Sequence, residues 1–212
     1  MADCRCEERS DDVIPSQRWN GRARPLRGRR PLLIALLAAL PAACTSPNPS
    51  LYTLAVVPGA EHAGAQHVIE LRAIAVAHYL ERSQIVRSSE NLRLDVLGSD
   101  WWGEPLDAML GRVLSQELTQ RLPGSTVYGE NGAITANAGA TVAINVQRLD
   151  ADASGAVVLI AQVAVTSPRD STTRTVRYAV APTAPGTSGL VSAMSTAVGQ
   201  LADTVAAMVT AR

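Results

Sequence analysis

The chain has 212 residues and a formal net charge of +0, enough length for one domain with an appendage and a full hydrophobic core. Residues 1–30 hold eight Arg and five acids, which leaves 11 Arg against 14 acids beyond them. The larger part is therefore mildly acidic, without the basic stripe that nucleic acid requires, and a nucleic-acid partner is set aside. Every basic residue except the three histidines is Arg, and Phe is absent, a bias expected from GC-rich codons.

Residues 1–20 are polar and of mixed charge, an unusual prefix that fits a misplaced start codon. Cys4 and Cys6 form a C-x-C pair without further ligands, a weak metal pattern. The basic run Arg22, Arg24, Arg27, Arg29 and Arg30 then precedes PLLIALLAALPAA, residues 31–43, which carry no charge. That stretch falls short of the roughly 20 apolar residues that span a bilayer. It has the form of a signal-peptide h-region, with the arginines as its n-region. Arg29-Arg30 touches a twin-arginine signal, but the rest of that pattern is missing and general secretion fits better.

Ala42 and Ala43 before Cys44 resemble the lipobox of bacterial lipoproteins, with Pro41 where that pattern prefers Leu. Cys44 is thus the expected lipidation site, and TSPNPS after it is a tether of the kind an anchored domain needs. The alternative is an ordinary signal peptide that ends near a cysteine. No cysteine follows Cys44, so the exported part has no disulfide and no thiol chemistry. Three parts are expected: 1–43 prefix and signal peptide, 44–50 tether, and 51–212 the folded domain.

Within that domain Leu51–Val57 and His67–Ala77 are predicted strands, and HYLERS over His78–Ser83 breaks the second. QIVRS and LRLDVL predict a hairpin turning at Ser89–Asn91. Leu106, Met109, Leu110, Val113, Leu114 and Leu118 recur at helical spacing, with Asp107, Arg112, Glu117 and Arg121 assigned mostly to the other side. Asp100 is the candidate N-cap, Pro105 suits the first turn, and Pro123-Gly124 ends the helix.

Three further strands are predicted at Ala140–Leu149, Ala156–Thr166 and Thr172–Val180, joined by turns at Asp152–Gly155 and Pro168–Asp170. Val142, Ile144 and Val146 are their inward set, as are Val176, Tyr178 and Val180. Thr187–Val209 is an amphipathic helix with Leu190, Met194, Val198, Leu201, Val205 and Met208 on one stripe and Thr187 or Ser188 as cap. The expected fold is mixed α/β (α+β): one mostly antiparallel sheet with two main amphipathic helices packed on it.

Chemistry is sparse. His62, His67 and His78 have no zinc spacing, and G-x-S-x-G, P-loop and G-x-G-x-x-G motifs are absent. Asp150/Asp152 reads as a turn and Glu104/Asp107 as a helix N-terminus favoured by its dipole. No enzyme, metal or cofactor is expected. Trp101 and Trp102 stand side by side before a helix, and neighbours there face different ways: one covers the core, the other is free to anchor an interface.

Tyr79, Leu80, Arg82, Gln84, Ile85, Val86 and Arg87, followed by Trp102, Glu104, Pro105 and Leu106, resemble the PqiC/YmbA family of auxiliary lipoproteins. The likeness spans about residues 51–209, including Tyr52-x-Leu54, the strand after Ala140 and the last helix. Family members usually have Asp-Arg-Pro-Gln at Glu81-Arg82-Ser83-Gln84, Arg-Trp at Trp101-Trp102, and Pro at His78. The resemblance implies a periplasm-facing lipoprotein serving an ABC-type or MCE-domain system that moves lipid between two membranes. An MCE-domain protein is the implied partner, and Tyr79, Arg82, Gln84, Arg87 and Trp102 are the implied docking residues. Thr45 lacks the Asp that commonly retains lipoproteins at the inner membrane, which favours the outer one. A homo-oligomer, a lipid carrier with an apolar pocket, an envelope hydrolase and an assembly lipoprotein plugging a barrel stay open on these residues.

Overall fold

The computed structural model describes residues 48–63, 67–89, 92–134 and 136–211. The prefix, the leader, Cys44 and the hairpin tip at 90–91 lie outside the described residues. In chain order the elements are β1 (Ser50–Tyr52), β2 (Val68–Leu71), β3 (Ala75–Val76), a 3-10 turn (His78–Leu80), β4 (Gln84–Ser88) and β5 (Leu94–Trp102). Then follow α1 (Leu106–Arg121), β6 (Thr126–Gly129), β7 (Ala140–Ala151), β8 (Val157–Thr166), β9 (Ser171–Val180) and α2 (Gly186–Thr210).

Period-two alternation builds the centre. Val142, Ile144 and Val146 of β7 and Leu159, Ala161, Val163 and Val165 of β8 are buried, and β9 adds Val176 to the same side. β7, β8 and β9 pair antiparallel. Beyond β7 the sheet continues through β2 to β6 by parallel pairs, with β3 also on β7. The expected stripe of α2, from Leu190 to Met208, is buried; α2 packs on β7, β8 and β9, and α1 packs on α2. Each such aliphatic side chain contributes about 1.5–3 kcal/mol on full burial.

The fold class stands, with one difference. β1, β5 and β4 form a second, three-stranded sheet instead of extending the first. The 3-10 turn carries the chain off β3, after which β4 and β5 pair with each other and β5 takes β1 as a parallel neighbour. The predicted strand His67–Ala77 is split at Arg72–Ile74, where the register against β7 slips by one residue.

Both predicted caps are corrected. α1 begins after Pro105 and α2 after Pro185, neither with a side-chain cap. Asp100 lies in β5, and Thr187 Oγ1 donates to its Oδ2 at 2.6 Å, so the two candidate caps satisfy each other across the fold. α2 can start so abruptly because Gly189 lies against the Ala184 carbonyl, leaving no room for a Cβ.

The predicted strand Leu51–Val57 is also shortened, to β1, for a definite reason. Beyond Tyr52 the backbone turns to the helices: Leu54 N donates to Met109 Sδ at 3.2 Å, Ala55 N to Ser195 Oγ at 3.0 Å, and Val57 N to Glu117 Oε1 at 2.8 Å. Side chains replace a neighbouring strand as partners, which satisfies the backbone without a ladder.

Candidate functional site

β7 carries a bulge between Val146 and Arg148. One extra residue flips the side-chain alternation. Leu149 and Ala151 thereby continue the buried row begun by Val146, and Asp150 is placed on the opposite face, 1% exposed. A carboxylate so buried needs donors. Tyr79 supplies its hydroxyl to Oδ2 at 2.6 Å; Ser88 Oγ and Arg148 Nη2 reach Oδ1 at 2.9 and 2.8 Å. Burial, reinforced by the bond to Asp150 and its negative charge, holds the Tyr79 phenol well above the usual tyrosine range, so it stays a protonated donor.

This cluster ties both ends of the segment Tyr79–Ser88 to β7. Leu80, Ile85 and Val86 are buried beneath it, and Trp102 N donates to Ser83 O at 2.7 Å. Arg82 is exposed, Gln84 is half-buried beside Trp101 in register, and Arg87 is exposed with a loose 3.8 Å approach to Asp95. The structure thus brings Arg82, Gln84 and Arg87 together on one segment fixed from behind. Tyr79 has an inward role in fixing it. Trp102 is 7% exposed and belongs to the core, while Trp101 stays half-buried with Nε1 donating to Gly98 O at 3.0 Å. Trp102 therefore supports the segment from within, and the accessible indole is Trp101. Cys44 lies outside the described residues.

A second polar cluster was not expected. Glu117 and Arg121, read as outward, are both 0% exposed. Arg121 donates through Nε to Asp203, through Nη1 to Val57 O at 3.1 Å and through Nη2 to Gly199 O at 3.1 Å. Its own carbonyl accepts His62 N at 2.7 Å. Gly59 lies so close to the guanidinium that a Cβ would collide with it. Glu117 Oε1 takes Val57 N, whereas Oε2 has no partner. Burial pushes the Glu117 carboxyl up to about 7, against the pull of Val57 N–H and Arg121. The cluster fastens Thr53–His62 between the two helices and thus fixes the first stretch of the domain. A signal existed: 110, 114, 117 and 121 continue the apolar spacing of α1, so these charges fall on its buried stripe.

Among the described residues no group of three His, Cys, Asp or Glu is placed to hold a metal, and no helix is long and apolar enough to cross a membrane. A groove of about 730 Å³ opens between Arg87, Asp95 and Leu97 on one side and Ala151, Ser154 and Leu190 on the other. Its lining mixes charged and apolar groups.

This arrangement, two helices on a mixed sheet with a small second sheet, recurs in solved structures. One, of an uncharacterized protein, is 18% identical with a TM-score of 0.67 and covers 77% of this chain and 99% of its own. Another, protein XCC0632 from Xanthomonas campestris, of the DUF330 family, is 17% identical with a TM-score of 0.62, covering 76% and 95%. At that identity they share the fold. No curated protein matches this chain. The fold is a mixed α+β domain, two helices packed on a mixed sheet beside a small second sheet. Residues 52–206 match the family model of the ABC-type transport auxiliary lipoprotein component, and the chain belongs to that family. It is a family of transport components rather than of enzymes, consistent with the PqiC/YmbA resemblance.

Proposed function

We propose that the protein is a non-enzymatic subunit, anchored by lipid on Cys44 to the periplasmic face of the outer membrane after removal of residues 1–43. There it docks the MCE-domain tunnel of an ABC-type lipid transport system and supports envelope integrity. The observation that supports this most is the segment Tyr79–Ser88. It is fixed by Tyr79, Ser88 and Asp150, and it leaves Arg82 and Arg87 exposed and Gln84 partly exposed. A pre-organised polar segment loses little conformational freedom on binding, and arginine is enriched at binding hot spots.

The test is site-specific photo-crosslinking in cells. A photoreactive residue at Gln84 is expected to capture the MCE-domain partner, while one at Arg174 on the exposed part of β9 is not. Equal capture from both positions, or none from Gln84, would reject the docking segment.

A further inference from the structure

Five large apolar side chains are strongly exposed among the described residues, and four of them, Leu51, Leu92, Leu94 and Val96, belong to β1 and the β4–β5 hairpin. Chance scatter would spread them over both sheets. Leu51 is the direct parallel partner of Trp101, and Tyr52 that of Trp102. With Trp102 in the core, Leu51 and Trp101 share the outward side of that pair. The Trp101 N–H bonds Gly98 O within its own strand, so the indole folds back along β5. With its one polar group satisfied internally, the ring can enter an apolar or interfacial environment without stranding a donor. Leu92 at the tip, 104% exposed, sits at φ 61°, a left-handed conformation uncommon for a leucine.

What occupies this face follows from the chain. β1 begins at Ser50, only six Cα–Cα steps beyond Cys44. Fully extended, they reach roughly 20 Å at most. A domain held at Cys44 therefore keeps β1, and Leu51 with it, next to the bilayer that receives the anchor. The charges nearby leave no basic excess: Arg82, Arg87 and Arg93 stand against Glu81, Glu90, Asp95 and Asp100 in the sequence. Attraction to anionic headgroups is then small, and the contact is apolar and interfacial in kind.

We infer that the exposed row Leu51, Trp101, Val96, Leu94 and Leu92 rests in the headgroup region of the anchoring membrane, orienting the domain so that β1 and β5 lie against lipid. This rests on the proposed anchoring at Cys44 and adds a defined membrane-facing surface to it. Gln84, the cross-strand partner of Trp101, borders that surface, while Arg82 and Arg87 stay available to a protein.

The experiment uses the mature lipoprotein, purified from membranes and reconstituted into phosphatidylethanolamine vesicles with or without phosphatidylglycerol, carrying a shallow spin-labelled quencher lipid. Such a protein holds two tryptophans, and Trp101→Phe isolates the buried Trp102 as reference. Flotation reports the anchor; fluorescence reports the face. The expected result is flotation, with a Trp101 signal that is quenched, shifted to the blue, and equal in both vesicle types. Leu51→Ser with Val96→Ser is expected to float equally while losing the quenching, and an unchanged melting curve would establish that these exposed positions leave the fold intact. A floating wild type with unquenched Trp101 would overturn the face alone, as would Trp101 found shielded in a dimer of this chain. Failure to float would overturn the anchoring and the face together.

Discussion

Glu117→Gln provides a sharp test of how Thr53–His62 is held. In the folded chain Glu117 is buried, its Oε1 accepts Val57 N at 2.8 Å, and burial raises its carboxyl from 4.5 to about 7. A carboxyl raised on folding binds its proton more tightly in the folded state than in the unfolded one. Stability is therefore greatest below about pH 4.5 as far as this group is concerned, falls as pH rises, and levels off above about pH 7. At about 1.36 kcal/mol per pH unit, the interval from 4.5 to about 7 corresponds to at most about 3 kcal/mol, with water access reducing it. Glutamine resembles the neutral acid: its carbonyl still accepts Val57 N, and it has no charge to desolvate. Urea denaturation of both proteins between about pH 4 and about pH 8 isolates this group, because other titrating residues cancel in the difference. The variants should be alike at the acid end, and Glu117→Gln more stable by about 1–3 kcal/mol at the alkaline end. A difference that does not change with pH, or a Gln variant weaker at about pH 8, would refute the reasoning.

The remaining expectations concern packing and the fixed segment. Arg121→Met strands the carbonyls of Val57 and Gly199 and removes the partner of Asp203, so a loss of about 3 kcal/mol or more is expected in urea denaturation. Tyr79→Phe deprives buried Asp150 of one donor and should cost about 1–2 kcal/mol. Faster proteolysis within Tyr79–Ser88 should accompany that loss; an unchanged cleavage rate would count against Tyr79 as the fastening residue. Thr187→Val breaks the bond to Asp100 and should lower stability by about 1 kcal/mol, whereas Ser188→Ala, next to it, should do little. Gly189→Ala drives a Cβ into the Ala184 carbonyl, and a melting temperature no lower than wild type would contradict the close approach at the start of α2.

The long elements were legible because their signal is periodic and local. Val142, Ile144 and Val146 alternate, and Leu190 through Met208 recur at helical spacing, so burial of one face follows from the pattern alone. The caps were misread because Asp and Thr next to a helix are attractive local caps, yet Asp100 and Thr187 lie 87 residues apart and meet only in the folded chain. Asp150 looked like part of a turn because nothing in the sequence announces the bulge that re-aims it. Residue type puts Glu117 and Arg121 outward, although their spacing lies on the buried stripe; here the period is the better guide than the charge. LYTLAVV has strand composition throughout, yet its partners beyond Tyr52 are helix side chains that no strand rule considers, so β1 is shorter than the composition implies. At the proposed docking segment the motif points to Arg82, Gln84 and Arg87, but the inward orientation of Tyr79 and Trp102 follows only from the fold.

Docking is tested most directly by co-purification of the MCE-domain protein with the wild-type lipoprotein and with an Arg82→Ala, Arg87→Ala variant. Arg82 is exposed and Arg87 makes only the 3.8 Å surface approach to Asp95, an interaction worth about 0–1 kcal/mol, so the fold should be unaffected. The expected result is recovery of the partner with the wild type and its loss with the variant, at equal melting temperature and equal membrane attachment. Equal recovery of the partner with both proteins would contradict docking through this segment.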